Sequence, residues 1–242
     1  AVMQFKASGL WLPVMVPIFL QSPLAYFSAL VVNYLRVSKE RQNIRDAFGF
    51  YLPNDVVDRL MRNANTLHDG GQTLFSTCLF TDAARYTHVS ETMDPGPLRD
   101  LMNAYYEAVF EPIKAKGGIV LQVIGDSVLS IWASARPDNQ QKKQACEAAL
   151  GIVESVSRFN AQAGENQLPT RIGLHAGLIL LGNIGAMDHF EYRPVGDIVN
   201  TASRLEGLNK QVGTQVLVSE EVLDGVDGLL TRCIGRFVFI GK

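Results

Sequence analysis

The chain has 242 residues, of which 47% are hydrophobic and 19% charged. This composition is too apolar for a disordered chain and is sufficient for a buried core. The net charge of −2 disfavours a nucleic-acid binder that relies on bulk positive charge, and three widely spaced cysteines with no CxxC pair exclude a disulfide framework or cysteine zinc site.

The first 35 residues contain a long apolar segment. No charged residue occurs between Lys6 and Arg36, and the stretch 9–35 exceeds the about 20 residues that span a bilayer core. Basic residues are frequent over 36–45, which is typical of the cytoplasmic side of a span. The pattern predicts a transmembrane segment in residues 1–35. A buried helix of a soluble domain is the alternative, and the prolines leave open a re-entrant piece or a second short span.

Residues 36–72 are predicted to be a cytoplasmic helical connector. The sequence 51–54 reads as a turn before a short helix that ends near Met61, and Gly70-Gly71 reads as a loop. A charged helix between a membrane and a compact domain suits signal transmission through helix pairing between two chains. A plain linker is the alternative.

Residues 73–242 are predicted to form a compact domain. The order strand, helix, hairpin, helix, strand favours the α+β class and a ferredoxin-like βαββαβ sandwich. The chain begins at Ala1 and ends just after a strand-like run, so we interpret it as an excised piece with a truncated C-terminal end. The predicted elements are strands over 74–81, 119–124, 127–132, 170–181, 190–193, 215–219 and 231–240, and helices over 98–116, 140–163 and 197–208.

Two aspartates end strands that this fold would place side by side. Asp82 follows the first strand, and Asp126 lies in the tight Gly125-Asp126 turn of the hairpin. Two strand-end carboxylates form a hard oxygen site suited to Mg²⁺ or Mn²⁺, with substrate phosphates completing the shell. Taken singly, each aspartate is more often a turn or cap residue.

Asn200 and Arg204 are four residues apart on a predicted helix, so they share one face. The planar guanidinium of Arg204 can bind a phosphate through several donors, and the Asn200 amide can bind a sugar. A polar surface stripe is the alternative.

Four motifs together resemble the class III nucleotidyl cyclase catalytic domain. The resemblance covers about residues 73 to 242, and residues 48–52 resemble the FGxYL transducer of bacterial membrane cyclases that carry a CHASE-type sensor. The motifs are FTDAARYT (80–87), GGIVLQVIGDSVLSIW (117–132), RIGLHAGLILLGNIG (171–185) and YRPVGDIVNTASRLEGLN (192–209).

The resemblance implies an adenylate cyclase that converts ATP to 3′,5′-cyclic AMP and pyrophosphate. It implies two divalent ions per active site, Mg²⁺ or Mn²⁺, which activate the ribose 3′-hydroxyl and stabilise the triphosphate. It also implies a homodimer whose active sites lie between the protomers. The front segment adds an expected location at the cell inner membrane, with the catalytic domain in the cytoplasm.

The family's metal and phosphate positions transfer to the first two motifs. Asp82 and Asp126 match the metal-binding aspartates, and the carbonyl of Ala83 matches a further metal ligand. The backbone of Phe80 and Thr81 matches the segment that cradles the β- and γ-phosphates.

The family's remaining catalytic positions transfer to the last motif. Asn200 matches the residue that orients the ribose, and Arg204 matches the one that neutralises charge at the α-phosphate. In the family this pair comes from the protomer opposite the aspartates. Lys242 lies near the position of a late phosphate-binding lysine.

The base-reading positions depart from the family pattern. Adenine-specific members carry Lys where this chain has Gln122, and Asp or Thr where it has Arg193; guanine-specific members carry Glu and Cys there. Gln122 can bind adenine through its amide, whereas Arg193 can bind the N1 acceptor, pair with Glu191 or face away. We expect ATP as substrate because most bacterial members make cyclic AMP. GTP, or a catalytically silent dimerisation or nucleotide-sensing module, is the alternative.

Overall fold

The computed structural model of the chain describes residues 22–49, 71–186 and 189–239. The chain divides into two compact units, residues 1–62 and 63–242. The predicted turn and helix over 51–61 lie outside the described residues, as does Lys242.

In the first unit the described residues form one helix, α1 (Ser22–Gly49). Its large apolar side chains between residues 24 and 37 are exposed. Within the described residues, no helix combines the length and the apolar character that crossing a bilayer requires. This finding gives no support to the predicted transmembrane segment, whose residues 9–21 lie outside that part of the chain.

The second unit is an α+β sandwich, which confirms the predicted class. Its sheet has the order β2-β3-β1-β4-β5 with antiparallel neighbours, and β6 pairs in parallel with β4. The order β2-β3-β1-β4 is that of a ferredoxin-like core. The elements are β1 (Gln72–Ala83), α2 (Tyr86–Thr92), α3 (Pro95–Ala115), β2 (Ile119–Ile124), β3 (Ser127–Ser134), α4 (Asn139–Gln162), β4 (Thr170–Ala186), β5 (His189–Val195), α5 (Asp197–Val212), β6 (Val216–Val218) and α6 (Glu220–Leu223).

The two faces of the sheet carry different helices. Leu79 and Ala83 of β1 belong to the core cluster that α3 and α4 cover, whereas Cys78 belongs to the cluster beneath α5. Successive side chains of a strand point to opposite faces. Asp82 is an even number of residues from Cys78 and therefore lies on the α5 face of the sheet.

Helix α5 rests directly on the backbone of β4 at Gly173. A Cβ atom at this position would lie 2.1 Å from the carbonyl oxygen of Ala202 and 2.4 Å from the amide nitrogen of Glu206. Only glycine permits this approach without displacement of the helix. The contact fixes the height of α5 above the strand next to β1.

One strand of the sequence prediction is wrong. Residues 231–239 form no strand, and Leu230 and Val238 are exposed. A strand needs a neighbouring strand to pair its N–H and C=O groups, and within the described residues this segment has none.

Candidate active site

The structure brings Asp82 and Asp126 together. Asp126 Oδ2 accepts a hydrogen bond of 3.0 Å from the amide of Ala83, the residue after Asp82. The β2–β3 turn reaches this point because Gly125 adopts a φ of 59°. Burial raises the pKa of Asp126, and the neighbouring charge of Asp82 raises it further. The two carboxyl groups therefore share one small region at the end of β1.

Asp82 is held by two side chains from neighbouring strands. Ser127 Oγ donates to Asp82 Oδ1 at 3.0 Å, and Arg171 Nη2 donates to Asp82 Oδ2 at 3.0 Å. Arg171 is the residue opposite Asp82 in the β1–β4 register. The Arg171 guanidinium also binds α5, because its Nε donates to Glu206 Oε1 at 2.9 Å.

The donor set at this position fits a divalent cation in part. Carboxylate oxygens are the ligands that Mg²⁺ and Mn²⁺ prefer, and a cation between Asp82 and Asp126 would relieve the repulsion that raises the Asp126 pKa. In the described part of the chain, no three His, Cys, Asp or Glu side chains form a metal-binding group. Backbone oxygens, water and substrate phosphates would have to complete the shell.

Because the pKa of Asp126 is raised, its negative charge is expected to destabilise the folded state. Since folding favours the protonated carboxyl, the penalty is complete above the folded-state pKa and disappears as the pH falls to the ordinary value of 3.8. We expect Asp126→Asn to raise the free energy of unfolding at pH 7 by about 0.5–1 kcal/mol, allowing for solvent screening.

Urea unfolding in EDTA between pH 3 and pH 8 measures this difference. Asp227→Asn, at an exposed aspartate outside the site, should leave stability unchanged. An Asp126→Asn protein less stable than wild type at pH 7 would contradict the expectation, as would a difference that grows as the pH falls.

The residues matched to the phosphate cradle lie next to the two aspartates. Thr81 is fully buried, backbone and side chain alike. Phe80 packs against the cluster beneath α5, and Ala83 is buried on the α3–α4 face. Their backbone roles stay predictions.

Asn200 and Arg204 lie one turn apart on α5 and point away from Asp82. Asn200 is exposed and Arg204 is half-buried, and neither has a side-chain hydrogen bond or ion pair within the described residues. Glu206, which reaches Asp82 through Arg171, projects about 160° from Arg204 and about 120° from Asn200 around the helix. One chain therefore does not bring Asn200 and Arg204 to its own aspartates.

The two predicted base-reading residues lie on strands at opposite ends of the sheet order. Gln122 lies at an irregularity of the β2–β3 pairing, four residues before Asp126. Arg193 of β5 is half-exposed and pairs with Glu191 at 3.4 Å. This is one of the three arrangements that the sequence left open. Strands β2 and β5 contact each other despite their positions in the order.

Sequence reasoning missed Ser127, Arg171 and Glu206. All three lie inside the motifs quoted above, but no role was assigned to them. A signal was available for Arg171, because pairing the first and fourth predicted strands in the ferredoxin-like order places a cation beside Asp82. Glu206 could be found only from the packing of α5.

Comparison with known proteins agrees with this fold. The family profile described as "Adenylate and Guanylate cyclase catalytic domain" matches residues 74–236. The chain belongs to this family of cyclases, which confirms the resemblance that the motifs indicated.

Individual relatives carry related names. The chain is 35% identical over 188 residues to "Adenylate cyclase 1" of Rhizobium meliloti, covering 74% of this chain and 28% of that protein. It is 29% identical over 205 residues to "Adenylate cyclase" of Anabaena cylindrica, covering 81% and 39%. The chain thus spans about a third of the length of these relatives.

A solved structure has the same fold. It is described as a bacterial light-regulated adenylyl cyclase and is 23% identical, with a TM-score of 0.66, covering 87% of this chain and 59% of that one.

Proposed function

We propose that this domain is an adenylate cyclase that converts ATP to 3′,5′-cyclic AMP and pyrophosphate at sites shared by two copies of the chain. The single observation that carries the proposal is the joint placement of Asp82 and Asp126 at the end of β1, where an acidic pair meets the backbone matched to the phosphate cradle. The names of the two curated relatives support ATP as the nucleotide.

In the proposed reaction, the ribose 3′-oxygen forms a bond to the α-phosphorus and the bond to the pyrophosphate oxygen breaks. Asp82 and Asp126 would hold two Mg²⁺ or Mn²⁺ ions with the triphosphate. Such ions supply charge neutralisation and a lowered pKa of the 3′-hydroxyl. Asn200 would orient the ribose, and Arg204 would stabilise the negative charge that develops around the α-phosphate. The hydroxyl proton leaves to solvent.

The homodimer is part of the proposal because one chain supplies only half of this chemistry to any one place. Asn200 and Arg204 face away from the acidic pair of their own chain, and within the described residues they have no side-chain partner. In an antiparallel dimer, Asn200 and Arg204 of each chain would lie opposite the two aspartates of the other chain. This arrangement creates two equivalent sites.

Product analysis with each nucleotide tests the activity. Purified protein is incubated with Mn²⁺ and either ATP or GTP, and the products are separated by chromatography. Cyclic AMP from ATP is the expected result. Cyclic GMP alone would favour the alternative substrate. Absence of both products from a folded, dimeric protein would favour a silent nucleotide-sensing module.

The Arg193–Glu191 pair is the observation that favours GTP as the second candidate. A guanidinium donates to the O6 and N7 acceptors of guanine, and a carboxylate accepts from the N1 and N2 donors of the same base. On adenine, Arg193 finds acceptors only at ring nitrogens, while Glu191 can accept from the N6 amino group. Both side chains are about half exposed.

We also propose that residues 9–35 attach the protein to the cell inner membrane, with the cyclase domain on the cytoplasmic side. The exposed apolar side chains of α1, including Phe27 at 65% exposure, and the basic residues over 36–45 support this proposal. Carbonate extraction of membranes from expressing cells tests it. Recovery of the protein in the supernatant would contradict it, and a chain without residues 1–35 provides the control.

A further inference from the structure

A chain of ionic contacts runs from the acidic pair to helix α5. The carboxylate of Glu206 accepts from Arg171, and Arg171 donates onward to Asp82. The Glu206 side chain is only 9% exposed and that of Arg171 is 23% exposed, so water screens these contacts poorly. The proposed reaction assigns no role to Glu206.

The link that Arg171 makes between Asp82 and Glu206 is geometrically constrained at both ends. On one side, Arg171 lies opposite Asp82 in the strand register. On the other, the Gly173 contact places the backbone of Glu206 directly on β4, so its side chain cannot retreat without moving the helix. Bonding at two different nitrogens fixes both the position and the rotation of the planar guanidinium.

The charges make this link more than a packing contact. Two carboxylates, from Asp82 and Glu206, share the guanidinium of Arg171, and the Asp126 carboxylate lies beside Asp82 and accepts its hydrogen bond from the Ala83 amide. Glu206 therefore balances Arg171, whose positive charge would otherwise repel a cation from Asp82. A neutral residue at position 206 leaves the shape of the link but removes one negative charge from the metal-binding region.

We propose that Glu206 is a positioning residue for the metal site: it orients and balances Arg171, which in turn holds Asp82 for a divalent cation. The inference rests on the proposed function for the identity of the cation-binding pair. Because Glu206 belongs to the helix that carries Asn200 and Arg204, it also joins the two half-sites within one chain. In the dimer these half-sites serve different active centres.

Binding of Mn²⁺ alone tests the proposal without turnover. Free Mn²⁺ is followed by electron paramagnetic resonance while the full chain is titrated. We expect Glu206→Gln to weaken Mn²⁺ binding by about five- to tenfold, through the loss of one nearby negative charge. Equal affinity of wild type and Glu206→Gln, or no Mn²⁺ binding by wild type, would overturn the proposal.

A pair of substitutions separates charge from shape. Glu206→Gln keeps the size of the side chain and loses its charge, whereas Glu206→Asp keeps the charge and loses a methylene. If the charge acts on the metal site, Glu206→Asp binds Mn²⁺ more tightly than Glu206→Gln, even where it is the less stable of the two. The opposite order of affinities would assign Glu206 a packing role and overturn the inference.

Asn209→Ala is the matched structural control. Asn209 also fastens α5 to β4, because its amide donates to the carbonyl oxygen of Ile172 at 3.0 Å, but its side-chain hydrogen bonds go to backbone carbonyls and Thr214 and not to the Arg171 guanidinium. We expect this variant to lower the melting temperature and leave Mn²⁺ affinity unchanged. A parallel loss of Mn²⁺ affinity would show that loosening α5 alone explains the Glu206 effect.

Mixed dimers locate the effect within the shared site. In a mixture of Asp82→Ala and Arg204→Ala chains, the one complete site takes its aspartates from the Arg204→Ala chain. Adding Glu206→Gln to that chain should raise the half-saturating Mn²⁺ concentration about five- to tenfold, with little change in kcat at saturation. Adding it only to the Asp82→Ala chain should leave this concentration unchanged; the reverse pattern would overturn the proposal.

The failures of the two proposals are distinguishable. A chain that forms no cyclic nucleotide, yet shows weaker Mn²⁺ binding in Glu206→Gln, would refute the cyclase reaction and retain the positioning role. An active cyclase in which Glu206→Gln leaves Mn²⁺ binding unchanged would support the cyclase reaction and refute the positioning role.

Discussion

Asp82→Ala and Arg204→Ala proteins should each lose cyclase activity by about 100-fold or more, and a mixture of the two should recover part of it. Under the proposed reaction, the first variant removes a carboxylate from the metal-binding pair, and the second removes the guanidinium that would meet the α-phosphate. A heterodimer of these variants still contains one site in which both groups are intact. Recovery on mixing is therefore the specific signature of a shared site.

The size of the recovery is also predicted. Random pairing of equal amounts makes about half of the dimers mixed, each with one of two sites intact, so activity should reach about a quarter of the wild-type value. Cyclic AMP formation is measured after the variants are mixed and allowed to exchange subunits. Differently tagged chains and native mass spectrometry confirm that mixed dimers are present.

The double variant Asp82→Ala/Arg204→Ala is the control. Its chain carries both lesions, so a mixed dimer with wild type has no complete site and the double variant should inhibit wild type. Full wild-type activity in the presence of such mixed dimers would contradict the shared-site proposal. A lack of recovery between the single variants, although they pair, would do so as well.

Gly173→Ala should lower the free energy of unfolding by about 1–3 kcal/mol. The added methyl group would lie 2.1 Å from the Ala202 carbonyl oxygen and 2.4 Å from the Glu206 amide nitrogen, both of which belong to the helix backbone. Backbone atoms cannot rotate away as a side chain can, so α5 must shift. Chemical denaturation monitored by circular dichroism measures the loss.

Gly207→Ala is the matched control on the same helix. A Cβ atom there has no neighbour within 4 Å, so the substitution brings no clash. It should stabilise the protein by about 0.5–1 kcal/mol, because alanine favours the helix and restricts the unfolded chain. If Gly173→Ala were as stable as wild type, the direct contact of α5 with β4 would be wrong.

The parts of the fold that depend on local chemistry could be predicted from the sequence. The β2–β3 hairpin followed from the Gly125-Asp126 turn, because Gly125 supplies a positive φ of 59° without steric cost. Helix α3 followed from its apolar stripe, whose members Tyr105 and Val109 are fully buried. The neighbouring positions of Asp82 and Asp126 then followed from strand order.

The parts that depend on tertiary packing could not be predicted. Arg171 and Glu206 are separated by 35 residues, and their contact exists only because α5 lies on β4 without a side chain between them. The strand predicted over 231–240 failed for a related reason, since alternation of apolar residues says nothing about whether a pairing partner is present. The pairing of Arg193 with Glu191 was one of several sequence-compatible outcomes.

The outward direction of Asn200 and Arg204 has a consequence for how the rate depends on the amount of protein. Under the shared-site proposal, a solitary chain holds no complete set of reacting groups. The specific activity should therefore fall on dilution and rise with concentration, until association is complete. The level at which a cell makes this protein, or gathers it locally, would then act as an input to the signal in its own right.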